Sequence, residues 1–129
     1  MPTAPYAEES RARWGDTDAF RESQRRASRY VAADWDTIRA EARGLEQALA
    51  DLMHAGVPAD AVAAMDLAEE HRRHLSRWFY ECAPALHRSL ADLYVADERF
   101  IAHYDEVALG LAVYVADAIR ANAARTGAR

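Results

Sequence analysis

From Trp35 to the C-terminus, large apolar residues recur at intervals of three and four, and no segment sustains the every-second-residue alternation of a half-buried strand. This periodicity limits the fold more than any motif, because a chain that repeats its apolar side chains once per helical turn can bury them only by packing helix on helix. It predicts an all-α protein. The most regular stripe, Trp35, Ile38, Ala42, Leu45, Leu49 and Leu52, has Asp34 and Asp36 in its first turn and ends at Gly56 followed by Pro58, the punctuation of a long helix. Its start lacks a capping side chain, because Val31-Ala32-Ala33 stands where a serine or threonine would serve.

A second helix is expected from about Asp60 to Phe79, with Met65, Leu75 and Phe79 on one face and Leu67, His71, His74 and Trp78 on an adjoining stripe. Leu86, Leu90 and Leu93 mark a third helix, whose flank carries His87 and Tyr94. Asp97 is placed to cap a short helix bearing Phe100 and Tyr104, and a last helix runs through Val107, Leu111, Val115, Ala118 and Ile119. The segment Ser10 to Tyr30 differs: it is dense in arginine and acids and offers only Trp14, Phe20 and Tyr30 as large apolar anchors. Gly15-Asp16-Thr17-Asp18 reads as a turn feeding an N-cap, so short helices are expected at about Ala7–Trp14 and Asp18–Arg29. They are either an ordinary solvated helix pair or a lid that orders over a ligand.

At 129 residues the chain is one domain with room for a real core. A formal charge of −5 gives no general attraction for nucleic acid phosphates. A single cysteine cannot staple the fold, so stability must come from packing, and a reducing compartment is expected. No apolar stretch approaches the length of a membrane span, and Met1 to Tyr6 lacks the basic and hydrophobic regions of a signal peptide, which points to the cytoplasm.

Chemistry concentrates in residues 71–97. The one cysteine, Cys82, stands two residues before Pro84, a residue suited to the first turn of a helix. A thiol just ahead of a helix faces free N–H groups and the positive end of the macrodipole, both of which favour thiolate, while Glu81 pushes the other way. The alternative is that Cys82 is a small buried apolar residue.

Several segments match a known pattern in its order: Trp14-Gly15-Asp16-Thr17-Asp18-Ala19-Phe20, the run Ala68-Glu69-Glu70-His71-Arg72-Arg73-His74 through Trp78-Phe79-Tyr80-Glu81-Cys82, then His87-Arg88 and Leu93-Tyr94-Val95-Ala96-Asp97-Glu98-Arg99-Phe100. From about Tyr6 to Asn122 the chain resembles the TipAS antibiotic-recognition family. The resemblance implies a globin-like, haem-free helical domain that binds thiopeptide antibiotics such as thiostrepton in a cleft, with residues 1–33 as an N-terminal lid ordered by ligand and residues 34–129 as the core. It implies capture without turnover, no cofactor and no metal, with Cys82 as candidate covalent anchor for a dehydroalanine. Trp78, Phe79, Tyr80, Tyr94 and Tyr104 are candidate aromatic walls, and His71, His74, His87 and Trp14 are further candidate ligand contacts. Family members commonly form the C-terminal half of MerR-type activators. Residues 1–33 are too short for a winged helix-turn-helix and coiled coil, so this chain alone is not expected to bind nucleic acid. It is expected as a monomer or weak homodimer.

Two rival readings come from other classes. His71, His74, His87 and His103 recur on helices, as ligands of a metal site would, but no His-Glu-x-x-His occurs and no Glu-x-x-His pair supplies an inward carboxylate. In the second, a plain interaction module, the apolar stripe Leu45 to Leu52 or the C-terminal helix pairs with another copy. Hydrolase signatures such as Gly-x-Ser-x-Gly or a phosphate loop do not occur, and Cys82 has no assignable partners for a Cys–His–Asn set.

Overall fold

The structure, a computed structural model, describes residues 18–127, and every regular element within them is a helix. In chain order these are α1 (Asp18–Ala27), α2 (Ala32–His54), α3 (Val62–Trp78), α4 (Pro84–Ala96), α5 (Glu98–Val107) and α6 (Leu111–Arg125). The expected helix at Ala7–Trp14, and Trp14 itself, lie outside the described residues.

Helix α6 is the centre of the core, packed most extensively on α4 and also against α3, α5 and α2. Its buried residues, Leu111, Ala112, Val115, Ala116, Ala118, Ile119, Asn122 and Ala123, cover more than one stripe, as a helix surrounded by partners requires. Alanines between the larger side chains let those partners approach closely. Val107 does not belong to this helix: it ends α5 and is 39% exposed. The chain turns at Gly110, whose φ of +89° is open to glycine at little cost, and α5 and α6 meet at a bend of 102°. Asp105 then supplies the cap that Gly110 cannot, its Oδ1 accepting the N–H of Ala112 at 3.0 Å.

The other ends follow equally local chemistry. Without a capping residue ahead of α2, the carboxylate of Asp34 reaches back to accept the N–H of Val31 at 3.0 Å, half of a capping box. At its far end Val57 N–H bonds Leu52 O and Gly56 N–H bonds Met53 O, both at 3.0 Å, with Gly56 at φ +78°, which is a Schellman motif. Asp97 caps α5 by accepting the N–H of Arg99 at 2.8 Å, as its sequence position predicts. Pro84 is the first residue of α4. Among the described residues no single helix is long and apolar enough to cross a membrane.

Candidate functional site

The stripe His71, His74, Trp78 on α3 divides between two neighbours. His74 and Trp78 turn toward α2, where Glu41 receives His74 Nδ1 and Trp78 Nε1, each at 2.9 Å, with Arg77 Nη1 at 3.4 Å. Partial burial works to raise the Glu41 pKa, but the hydrogen bonds from Trp78 and His74 and the charge of Arg77 outweigh it and hold the carboxyl below its ordinary value. One carboxylate thus fixes the orientation of two candidate ligand contacts.

Trp78 and Phe79 also belong to an aromatic nook closed from the other side by Tyr30 and Trp35. The Tyr30 ring meets Trp35 edge-on at 5.7 Å and Trp78 edge-on at 5.5 Å, and Trp35 lies 6.3 Å from Phe79. Tyr30 is pinned there because its hydroxyl donates to the backbone carbonyl of Trp78. A second such tie, Arg26 Nη1 to Ser76 O at 2.7 Å, holds α1, a helix that buries none of its own residues. Among the described residues the buried Trp35 indole N–H has no hydrogen-bond partner.

His71 faces the interior. Its Nδ1 lies 2.8 Å from Nε2 of His87 on α4, and its ring meets Tyr94 edge-on at 6.1 Å. Burial, reinforced by the neighbouring imidazoles, lowers the His71 pKa to about 3; burial, with help from Arg72, lowers that of His87 to about 4. Tyr94 continues the chain of rings to Phe100 and Tyr104 at 5.1 and 5.4 Å. The expected wall positions Tyr94 and Tyr104 are 6% and 5% exposed, so they belong to the core. Their helical spacing is the signature of packing, as it is for most aromatic stripes.

Cys82 corrects the thiolate expectation. It does sit just before α4, but it is 0% exposed, and loss of hydration outweighs the Arg72 charge that favours thiolate; the thiol is pushed up to about 12. Its backbone is firmly held: the N–H donates to Ser76 Oγ at 3.0 Å, and the carbonyl accepts from Arg72 Nη1 at 2.8 Å. Arg72 is fixed in turn by Glu69 through Nε to Oε1 at 3.0 Å and Nη2 to Oε2 at 2.5 Å, while Asn122 of α6 donates to Glu69 Oε1 at 3.0 Å. The Arg72 bonds lower the Glu69 pKa to about 2.

Two open depressions flank these groups. One of about 360 Å³ lies between α1 and the break after α3, lined by Asp18, Ala19, Arg21, Glu22, Arg25, Tyr80 and Glu81. The other, about 450 Å³, runs along α2 and α3 over Gly44, Leu45, Ala48 and Leu67, with Glu41, Glu70, Arg73, His74 and Arg77 at its edges. Cys82 lines neither. Among the described residues no group of three or more histidine, cysteine, aspartate or glutamate side chains is arranged to hold a metal ion. His74 and His103 are instead paired with Glu41 and Glu46, both at 2.9 Å.

The sequence matches the model of the TipAS antibiotic-recognition domain over residues 6–122. The chain belongs to the TipAS family. Among similar proteins, the HTH-type transcriptional activator TipA of Streptomyces coelicolor is 47% identical over 120 residues, which is 93% of this chain and 47% of that protein. The HTH-type transcriptional activator mta of Bacillus subtilis is 34% identical over 114 residues, 88% of this chain and 43% of that protein. The chain therefore spans a little under half the length of these relatives. Among solved structures, TipAS of Streptomyces lividans in complex with nosiheptide superposes with a TM-score of 0.88 at 46% identity, covering 94% of this chain and 85% of that one. The antibiotic-binding domain of a TipA-class multidrug-resistance transcriptional regulator gives a TM-score of 0.64 at 46% identity, over 69% and 95% of the two chains.

Within this TipAS fold, the sequence names His74, Trp78, Phe79 and Tyr80 as candidates but gives no sign of the carboxylate that orients two of them, His74 and Trp78. Glu69 and Arg72 are three apart on one helix, a pairing visible in sequence. Glu41 has no such signal, since its partners come from a helix more than thirty residues away.

Proposed function

We propose that this chain binds thiopeptide-class antibiotics reversibly, sequestering or sensing them without chemical turnover. The observation that carries this reading is the likeness, at 46% identity and a TM-score of 0.88, to TipAS bound to nosiheptide. The binding surface is the aromatic end of α3, with Trp78, Phe79 and Tyr80 as walls and His74 oriented by Glu41. Neither depression can enclose a large macrocycle while α1 stays docked, so α1 and the connection leading to α2 act as a cover that lifts to admit ligand and closes on it. The absence of a fully buried side chain in α1 favours that movement. The ligand brings flat apolar heterocycles, and aromatic walls with few polar anchors suit them. No cofactor or metal takes part, and a monomer in the cytoplasm suffices. In a longer regulator of the HTH type this unit would be the sensing half.

Covalent capture is the less favoured variant, because the Cys82 sulfur is enclosed and its thiol is held protonated. Thermal-shift and intact-mass measurements with nosiheptide and with thiostrepton, on the wild type and Cys82→Ser, test both points. A stabilisation without mass gain is the expected result. A mass gain confined to the wild type would establish Cys82 as an anchor exposed on binding, and neither shift nor adduct with either antibiotic would overturn the function.

A further inference from the structure

We propose that the indole N–H of Trp35 is a ligand-recognition donor, which takes a neutral acceptor, a carbonyl oxygen or azole nitrogen, of a peptide-like ligand once Tyr30 swings away. The inference extends the antibiotic-binding reading to a specific atom and rests on it for the nature of the ligand. Trp35 Nε1 is the one buried side-chain nitrogen or oxygen without a hydrogen-bond partner among the described residues. Native interiors rarely leave such a donor unpaired. The contrast with Trp78 is direct, since that indole donates to Glu41 at 2.9 Å.

The surroundings show what is missing. Trp35 touches the rings of Tyr30 and Phe79, and the only polar atom those two side chains carry, the Tyr30 hydroxyl, is committed to the carbonyl of Trp78. A phenylalanine at position 35 would present an aromatic face to the same two rings with no orphaned donor, so the ring contacts do not require the N–H. The covering group stands on an exposed stretch of chain and is held by its hydroxyl bond to the Trp78 carbonyl. Tyr30 lies in the short connection between α1 and α2, with Ser28, Arg29 and Val31 all exposed around it. A lone N–H framed by aromatic faces selects a flat ligand that presents an acceptor without a competing charge, which describes an amide carbonyl or azole ring.

The test is a titration of protein labelled with ¹⁵N-tryptophan. Three indole signals are available, from Trp14, Trp35 and Trp78, and the Trp35 signal is assigned by its absence in Trp35→Phe. Two probes are used: nosiheptide, and N-acetylglycine N-methylamide at millimolar concentration as a bare peptide acceptor. The expected result is a downfield shift of the Trp35 indole proton at saturation with nosiheptide. Trp35→Phe should weaken nosiheptide binding about tenfold, the loss of one buried hydrogen bond, without lowering the melting temperature of the free protein. A Trp35 signal unmoved by both probes overturns the inference, whether or not nosiheptide binds. A shift with the diamide alone upholds the donor but overturns nosiheptide as its ligand. If Trp35→Phe is itself destabilised, the wild-type titration still decides.

Discussion

His71 Nδ1 and His87 Nε2 lie 2.8 Å apart, so a single shared proton joins α3 to α4. Only one of the two facing nitrogens can carry hydrogen, and burial lowers both pKa values, to about 3 and about 4. Below the ordinary histidine pKa of 6.5 the unfolded chain therefore binds more protons than the folded one. The stability contributed by the neutral pair is present above pH 6.5 and is lost progressively as pH falls toward 4 and then 3. The urea midpoint should drop across this window, and His87→Asn, which removes one titrating ring, should flatten the slope. A midpoint independent of pH there would contradict the shared-proton arrangement.

The Glu69–Arg72 pair governs a lower window. Because the Glu69 pKa is depressed from 4.5 to about 2, its contribution is full above pH 4.5 and fades as pH falls to 2. Glu69→Gln at neutral pH weakens the clamp on Arg72 and, through it, the hold on the Cys82 carbonyl. The expected cost is about 2 kcal/mol by urea denaturation, with a shallower loss between pH 4.5 and 2 than the wild type shows.

Cys82 should behave as an enclosed thiol. Labelling by a disulfide reagent at neutral pH should be slow in the native protein and accelerate by orders of magnitude in denaturant. Cys82→Ser buries a hydroxyl in place of a thiol and should cost about 1–3 kcal/mol, more than Cys82→Ala would if the site tolerates the smaller side chain. Rapid native labelling would show that the break after α3 opens readily without ligand.

Helix α1 should come away before the core does. Arg26→Ala removes the bond to Ser76 O, so trypsin should cut faster within Asp18–Ala27, at Arg21 or Arg25, while core stability changes by no more than ~0.5 kcal/mol. Saturating nosiheptide should slow those cuts. Equal digestion with and without antibiotic would remove α1 from the binding event.

Gly110 is the strictest backbone position in the core-forming region. At φ +89° an alanine enters a conformation that disfavours a Cβ, so Gly110→Ala should destabilise by about 1 kcal/mol in a thermal melt.

Much of the helix plan was legible because its signals are local. Gly56 with Pro58, Asp97 ahead of Phe100, and Pro84 each act within one turn, and the structure uses all three as helix punctuation. Asp60 proved one turn fraction early, since α3 begins at Val62, and Val107 fell in the preceding helix because apolar spacing carries across a bend that only Gly110 marks. Site geometry was less legible. Spacing placed His71, His74 and Trp78 on one stripe, but it could not say that α2 would take two of them and α4 the third. Nor could it weigh the burial of Cys82 against the helix end beside it, because burial depends on how α3, α4 and α6 close around the break. The missing cap before α2 was visible; its remedy, Asp34 reaching backwards, follows from the same short stretch and was readable in principle.

Two of the ties that hold α1 and the connection after it end on main-chain oxygens, those of Ser76 and Trp78. A carbonyl is present whatever side chain its residue bears, so the seat for α1 makes no demand on the identity of positions 76 and 78 through these bonds. A chain with another side chain at position 78 can therefore keep both bonds and change only the ring that meets Tyr30 edge-on. The bonds belong to the backbone and the aromatic contact to the side chain, so the two can vary separately.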